Sequence, residues 1–243
     1  MTTFKELVSL QFSYDNFAFE KNFKKLSSLV KKAPTNSIIC APELCLSNFC
    51  YDNMFKAADF SRKIEKELLK LTKNKTLCLS MIEYENGNFY NRAKFIQNEK
   101  IIYQRDKYEL FKLGKEDSYF TPGKKNDIKI FKVNGIKYAI LICFELRFVE
   151  LWKHIQGADI VLIPSLWATA RKKHLQILSN ALSLLNQCFV IVSNSANEDM
   201  AKNSSFSSPF GKFYKNDRKS LILKEINLKE IKKMRRYIDI GIK

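Results

Sequence analysis

A glutamate and a cysteine each stand at the end of an apolar stretch of this sequence, and a lysine follows a strand-like one. Glu43 follows Ile38-Ile39-Cys40-Ala41-Pro42, Lys107 follows the segment from Ile101 to Asp106, and Cys143 follows Tyr138-Ala139-Ile140-Leu141-Ile142. Together they suffice for acyl transfer. A thiolate attacks a carbonyl carbon, a carboxylate carries the proton as base and then acid, and an ammonium holds the oxyanion. A unit charge about 4 Å from that oxyanion is worth about 4 kcal/mol at an effective dielectric of about 20. Taken singly, Cys143 also reads as a buried structural thiol, Glu43 as a helix-capping carboxylate and Lys107 as a surface lysine. Separate strands delivering one reactive group each to a sheet edge is how α/β enzymes assemble a site.

The stretch from Ile136 to Ile142 has the length and composition of a buried strand, opened by the turn Asn134-Gly135. The spacing predicts a strand over 136–143 and a helix over 144–155. That places the sulfur of Cys143 at a helix N-terminus, where the dipole and free N–H groups favour thiolate. The two histidines, His154 and His174, are poor partners for a Cys–His mechanism. His154 lies about 15 Å along the predicted helix, and His174 opens another one.

The elements that must position these groups alternate strand and helix. Residues 4–14 read as a strand and 16–32 as an amphipathic helix with Phe19, Phe23, Leu26 and Val30 on one face. A short strand over 37–41 and a helix over 61–72 follow. Segments 76–83 and 88–96 flank the turn Glu85-Asn86-Gly87-Asn88 as a hairpin, extended by 100–103. A polar loop spans 104–129. Beyond the cysteine come a strand at 159–163, a helix at 171–187 and a strand at 188–193. Residues 194–208 read as a surface loop, 210–214 with 220–226 as a last hairpin, and 228–236 as a closing helix. This is a mixed α/β pattern with no internal boundary.

The formal charge of +17 raises nucleic acid or an anionic membrane as partners. The cations are mostly lysines scattered over every segment, so neither partner is supported. The six cysteines include no C-x-x-C pair, which argues against a zinc ribbon or redox motif. No apolar run approaches the ~20 residues of a membrane span, and the N-terminus lacks a signal-peptide pattern. The expectation is a cytoplasmic protein with reduced thiols, no metal and no cofactor.

Several segments carry a more specific pattern: Ala41-Pro42-Glu43-Leu44, Lys107-Tyr108-Glu109-Leu110-Phe111, and Cys143-Phe144-Glu145-Leu146-Arg147-Phe148-Val149-Glu150. Between them lie Leu110 to Glu116 and then Thr121-Pro122-Gly123. Downstream come Trp167-Ala168-Thr169-Ala170-Arg171-Lys172-Lys173-His174, Asn186-Gln187 and Pro209-Phe210-Gly211. In order and spacing these resemble the nitrilase superfamily, the carbon–nitrogen hydrolases, and within it omega-amidase-like members. The resemblance implies a four-layer α-β-β-α sandwich as one domain over residues 1–243, paired as a homodimer. It implies Glu43, Lys107 and Cys143 as the catalytic triad and Glu116 as an additional glutamate beside it. Phe144 would supply a backbone oxyanion donor, while Trp167 and Arg171 would line the pocket, Arg171 pairing with a substrate carboxylate. The implied reaction is hydrolysis of a small amide through a Cys thioester. N-carbamoyl amino acid hydrolysis and a catalytically silent interaction module are the alternatives. The chain departs from the pattern at Glu145 (usually Asp), Val149 (Pro), Glu109 (His), Leu182 (Arg) and Leu185 (Glu).

Overall fold

Strand alternation decides the architecture. In the computed structural model, which describes residues 4–242, β1 (Phe4–Leu10), β2 (Ile38–Cys40) and β3 (Thr76–Glu85) pair in parallel, β1 to β2 to β3. Leu7, Ile38, Cys40 and Cys78 point to one face, and Val8, Ile39, Leu77 and Leu79 to the other. With a period of two, each face is apolar, so both must be covered. Helices α1 (Phe19–Lys32) and α2 (Met54–Lys70) cover the second face, through Leu26, Val30, Ile64 and Leu68. The first face packs against another sheet.

The first sheet has the order β12-β1-β2-β3-β4-β5, adding β4 (Asn88–Gln97), β5 (Lys100–Asp106) and β12 (Leu221–Asn227). The second has the order β11-β10-β9-β8-β7-β6. It comprises β6 (Phe131–Val133), β7 (Ile136–Ile140), β8 (Ile160–Pro164), β9 (Phe189–Ser193), β10 (Ser205–Ser207) and β11 (Phe213–Lys215). Its β7, β8 and β9 are again parallel, joined by α3 (Val149–His154) and α4 (Lys172–Leu185), with α5 (Lys229–Tyr237) closing the chain. The result is the α-β-β-α sandwich expected from the sequence. Polar bonds stitch the sheets: Ser9 Oγ donates to Val192 O at 2.6 Å and Ser193 Oγ to Leu10 O at 2.5 Å. Residues 1–3 and 243, the ends of the expected 1–243 domain, lie outside the described residues.

Several local expectations are corrected. Helix α2 starts at Met54 rather than 61, preceded by a 3-10 turn at Tyr51–Asn53. The 104–129 segment holds three 3-10 turns, and β6 is an extra strand. The polar stretch 194–208 is only in part a surface loop: it contains β10, a buried strand paired with β9 and β11, and Ser204 Oγ accepts from Asn194 N at 2.9 Å while Ser204 N donates to Gln11 Oε1 at 3.0 Å. The last hairpin does not form. β11 pairs with β10 and β12 with β1, so those strands enter different sheets. Strand β7 ends at Ile140, and Cys143–Arg147 is a 3-10 turn, with helix delayed to Val149. Among the described residues no helix is long and apolar enough to cross a membrane.

The turn Thr121-Pro122-Gly123 leaves no room for a side chain. A Cβ on Gly123 would lie 2.4 Å from Asp106 O, and Gly123 N donates to Lys107 O at 2.8 Å. Gly123→Ala must therefore push the backbone that presents Lys107. The expected outcome is a loss of about 1–3 kcal/mol from overpacking, read as a melting temperature lower by several degrees in a thermal scan.

Candidate active site

The carboxyl ends of β2 and β7, in different sheets, open onto the same space, which the end of β5 also reaches. Beyond β2, Pro42 stops the strand and Glu43 is held by its own backbone: its N–H donates to Ser165 O at 3.2 Å and its carbonyl accepts from the Tyr14 hydroxyl at 2.9 Å. Beyond β5, the N–H of Lys107 donates to Asn91 O at 2.9 Å. Neither the Lys107 side chain nor that of Glu43 has any exposed area. A lysine in such a place must be paired.

It is paired twice. Lys107 Nζ lies 2.7 Å from Glu43 Oε1 and 2.7 Å from Glu116 Oε1, with the Phe49 ring 5.9 Å away. These are the short distances of charge-assisted hydrogen bonds. Burial works against the ammonium, but the two carboxylates outweigh it and raise Lys107 above the ordinary lysine range, so it stays charged. Glu116 reaches in from a loop whose Lys115 takes a left-handed φ of 57°. Its other oxygen accepts from Phe111 N at 3.1 Å. That loop is tied down by Tyr51, whose hydroxyl donates to Gly114 O at 2.6 Å and whose ring stacks on Tyr119 at 4.0 Å. Burial, with Glu43 nearby, lifts the Glu116 carboxyl to about 7 even though Lys107 pulls the other way.

Cys143 completes the group. Its φ of 48° is left-handed, which a non-glycine residue adopts at a cost, and its sulfur accepts from Leu166 N at 3.4 Å. Burial first, then the charge of Glu43, push the thiol well up from its ordinary value, and Lys107 opposes them. The helix-dipole thiolate expected from the sequence is thus corrected. A 3-10 turn stands in place of the helix, and burial beside Glu43 favours the thiol over the thiolate. Glu43 Oε2 is buried and accepts no N–H or O–H among the described residues, which leaves it available to that proton.

Phe144, Trp167 and Arg171 line one small pocket with Cys143, together with Phe111, Arg147 and Leu166. The Arg147 guanidinium lies 4.7 Å over the Trp167 ring and that of Arg171 5.2 Å over Phe111. Burial and the neighbouring Arg171 charge make Arg147 less basic than usual. The pocket lining therefore holds two cations and no carboxylate. Trp167 Nε1 is buried with no acceptor among the described residues. All the residues singled out in the sequence thus meet here: Glu43, Lys107, Glu116 and Cys143 at the floor, Phe144, Trp167 and Arg171 on the walls.

Sequence reasoning assigned no site role to six residues. Asn91, whose Nδ2 donates to Glu43 Oε1 at 2.9 Å, sits mid-strand in β4, where asparagine is uncommon; that was its only signal. Tyr14 read only as the last residue of the strand expected over 4–14. Arg147 was visible only as part of a motif, and His174, 3.0 Å from Arg147 Nη2, read as a helix start. The buried pair Arg105–Glu145, at 2.5 Å, gave no sequence signal beyond the unusual Glu145. Among the described residues no cluster of His, Cys, Asp or Glu is placed to hold a metal ion.

Comparison with known proteins places this geometry. The family model described as carbon-nitrogen hydrolase matches residues 7–236. A 2-oxoglutaramate amidase of Bacillus subtilis (strain 168) is 27% identical over 245 residues, covering 95% of this chain and 94% of that protein. A carbon-nitrogen hydrolase from Helicobacter pylori G27 superposes with a TM-score of 0.87 at 18% identity, covering 96% of this chain and 93% of that one. A mutant of the amidase from Nesterenkonia sp. AN1, with the acetamide moiety of fluoroacetamide added covalently at its active-site cysteine, superposes with a TM-score of 0.83 at 15% identity, covering 96% and 94%.

Glu116 gives a pH test of the buried cage. Its folded value of about 7 lies above the ordinary 4.5, so the folded protein keeps a proton that the unfolded chain releases. Its contribution to stability is fully present below about 4.5 and is lost as pH rises through about 7. Melting temperature should fall over that window in the wild type, and Glu116→Gln should flatten the fall in a pH series of thermal scans.

Proposed function

The chain belongs to the carbon-nitrogen hydrolase family, and from that premise we propose that it is an amidase cleaving a small, carboxylate-bearing amide through a thioester on Cys143. The observation that carries the reading is the buried cage of Lys107 between two carboxylates beside the buried Cys143 sulfur. As the amide carbon meets Sγ, Glu43 Oε2 takes the thiol proton and the S–C bond forms. The carbonyl electrons move onto oxygen, where Lys107 and the Phe144 N–H hold them. Collapse breaks the C–N bond, and the leaving ammonia receives the proton from Glu43. Water then gives a proton to Glu43 and attacks the thioester, releasing the acid and restoring the thiol. While Glu43 is protonated, Glu116, ionised above about pH 7, is the counter-charge to Lys107. The covalent addition at the cysteine of the Nesterenkonia amidase supports a nucleophilic role for Cys143.

Arg147 and Arg171 support the carboxylate: two guanidiniums held on aromatic faces are short of one anion. The name of the Bacillus relative points the same way. A homodimer is supported by exposed Ile177, Leu184 and Leu185 on α4, continuous with Ile238 through the Gln187 Nε2 bond to Ile238 O at 2.6 Å. Six free, buried cysteines support a reducing, cytoplasmic setting.

Ammonia release from succinamate, with butyramide as the neutral comparator, tests the reading. Cys143→Ala should abolish release, and intact-mass spectrometry should find an acyl adduct on the wild type only. Arg171→Ala and Arg147→Ala should each raise KM for succinamate about 10- to 100-fold, the worth of a charged hydrogen bond, and leave butyramide unchanged. Faster release from an N-carbamoyl amino acid would move the substrate to that class. Lys107→Ala should cost about 3–5 kcal/mol in denaturant unfolding as well as turnover, because it strands two buried carboxylates.

A further inference from the structure

We propose that Glu145 is a positioning residue for this reaction, fastening the backbone beside the nucleophile to the backbone beside the lysine; the inference rests on the amidase reading above. The two reacting groups come from different sheets. Lys107 follows β5 of the first sheet, and Cys143 follows β7 of the second. The apolar contacts between the sheets are strong but not directional. A displacement of about 1 Å between reacting groups can cost about 100-fold in rate.

Glu145 spans that seam with no exposed area. Its Oε2 accepts from Ile142 N at 2.6 Å and from Arg105 Nη1 at 2.7 Å. Its Oε1 accepts from Tyr108 N at 2.7 Å and from Arg105 Nη2 at 2.5 Å. Ile142 immediately precedes the nucleophile, Tyr108 immediately follows the lysine, and Arg105 lies two residues before it. Arg105 Nη1 also reaches Ile140 O at 3.3 Å, the last residue of β7. One carboxylate thus grips both sides of Lys107 and the approach to Cys143. It also turns the chain: capturing Ile142 N is what opens the 3-10 turn in which Cys143 adopts its left-handed φ.

A glutamine at this position keeps the shape but supplies one acceptor atom where two are needed, and no charge for Arg105. In folded Glu145→Gln, confirmed by circular dichroism, kcat for ammonia release from succinamate should fall about 100-fold while KM stays within about threefold, because the pocket arginines are untouched. Arg105→Lys keeps the charge but not the fork, and should lose about 10-fold in kcat. A kcat within about threefold of wild type in folded Glu145→Gln, or in Arg105→Lys should the former not fold, overturns the proposal. So does a loss that vanishes when the variant is cooled well below its melting temperature, which marks a merely structural role. Turnover in Cys143→Ala would instead strike the amidase mechanism itself, so the two failures are told apart.

Discussion

A cation with no exposed area governs this molecule. Lys107 cannot be accommodated in a dry interior unless its charge is met, and it is met by Glu43 and Glu116, each at 2.7 Å. Those partners are then themselves buried and must be completed, which draws in Asn91 on one side and Phe111 N on the other. The Glu116 loop has to close for this to happen, so Tyr51 and the left-handed Lys115 become part of the same account. Removing one member leaves the others unpaired, and a broken buried pair is far more costly than an absent one.

The fold brings these groups together because two parallel sheet cores stack face to face. Parallel strands place their carboxyl ends on a common edge, and stacking two such sheets sets the edges side by side. β2 then delivers Glu43 and β7 delivers Cys143, and β5, antiparallel to β4 and so running in the direction of β3, brings Lys107 to the same edge. The serines at the interface, Ser9 and Ser193, give the stacking a register that apolar side chains alone would not.

Much of this was legible in the sequence, for identifiable reasons. Strands such as Phe189–Ser193 and helices such as Phe19–Lys32 follow from apolar periodicity, which is a local property. Glu43, Lys107 and Cys143 stood out because each followed a strand-like segment within a recognisable pattern. What failed depended on partners distant in the chain. Residues 210–227 look like a hairpin because only tertiary pairing sends β12 to β1 and β11 to β10. β10 looks like a loop because Ser205-Phe206-Ser207 is short and polar and its pairing with β9 and β11 is tertiary. The state of the Cys143 thiol was misjudged because a dipole argument needs a helix, and burial with Glu43 nearby outweighs it here. Asn91 and Arg105 were silent because one polar residue in a strand looks much like another until its partner is known.

The protonated state of Cys143 has a consequence for the enzyme at rest. Peroxides and electrophilic metabolites attack sulfur chiefly as its anion. A largely buried nucleophile whose surroundings favour the thiol offers such reagents little to react with. The same seclusion that makes the sulfur slow to ionise thus serves as its shelter from oxidative damage between turnovers.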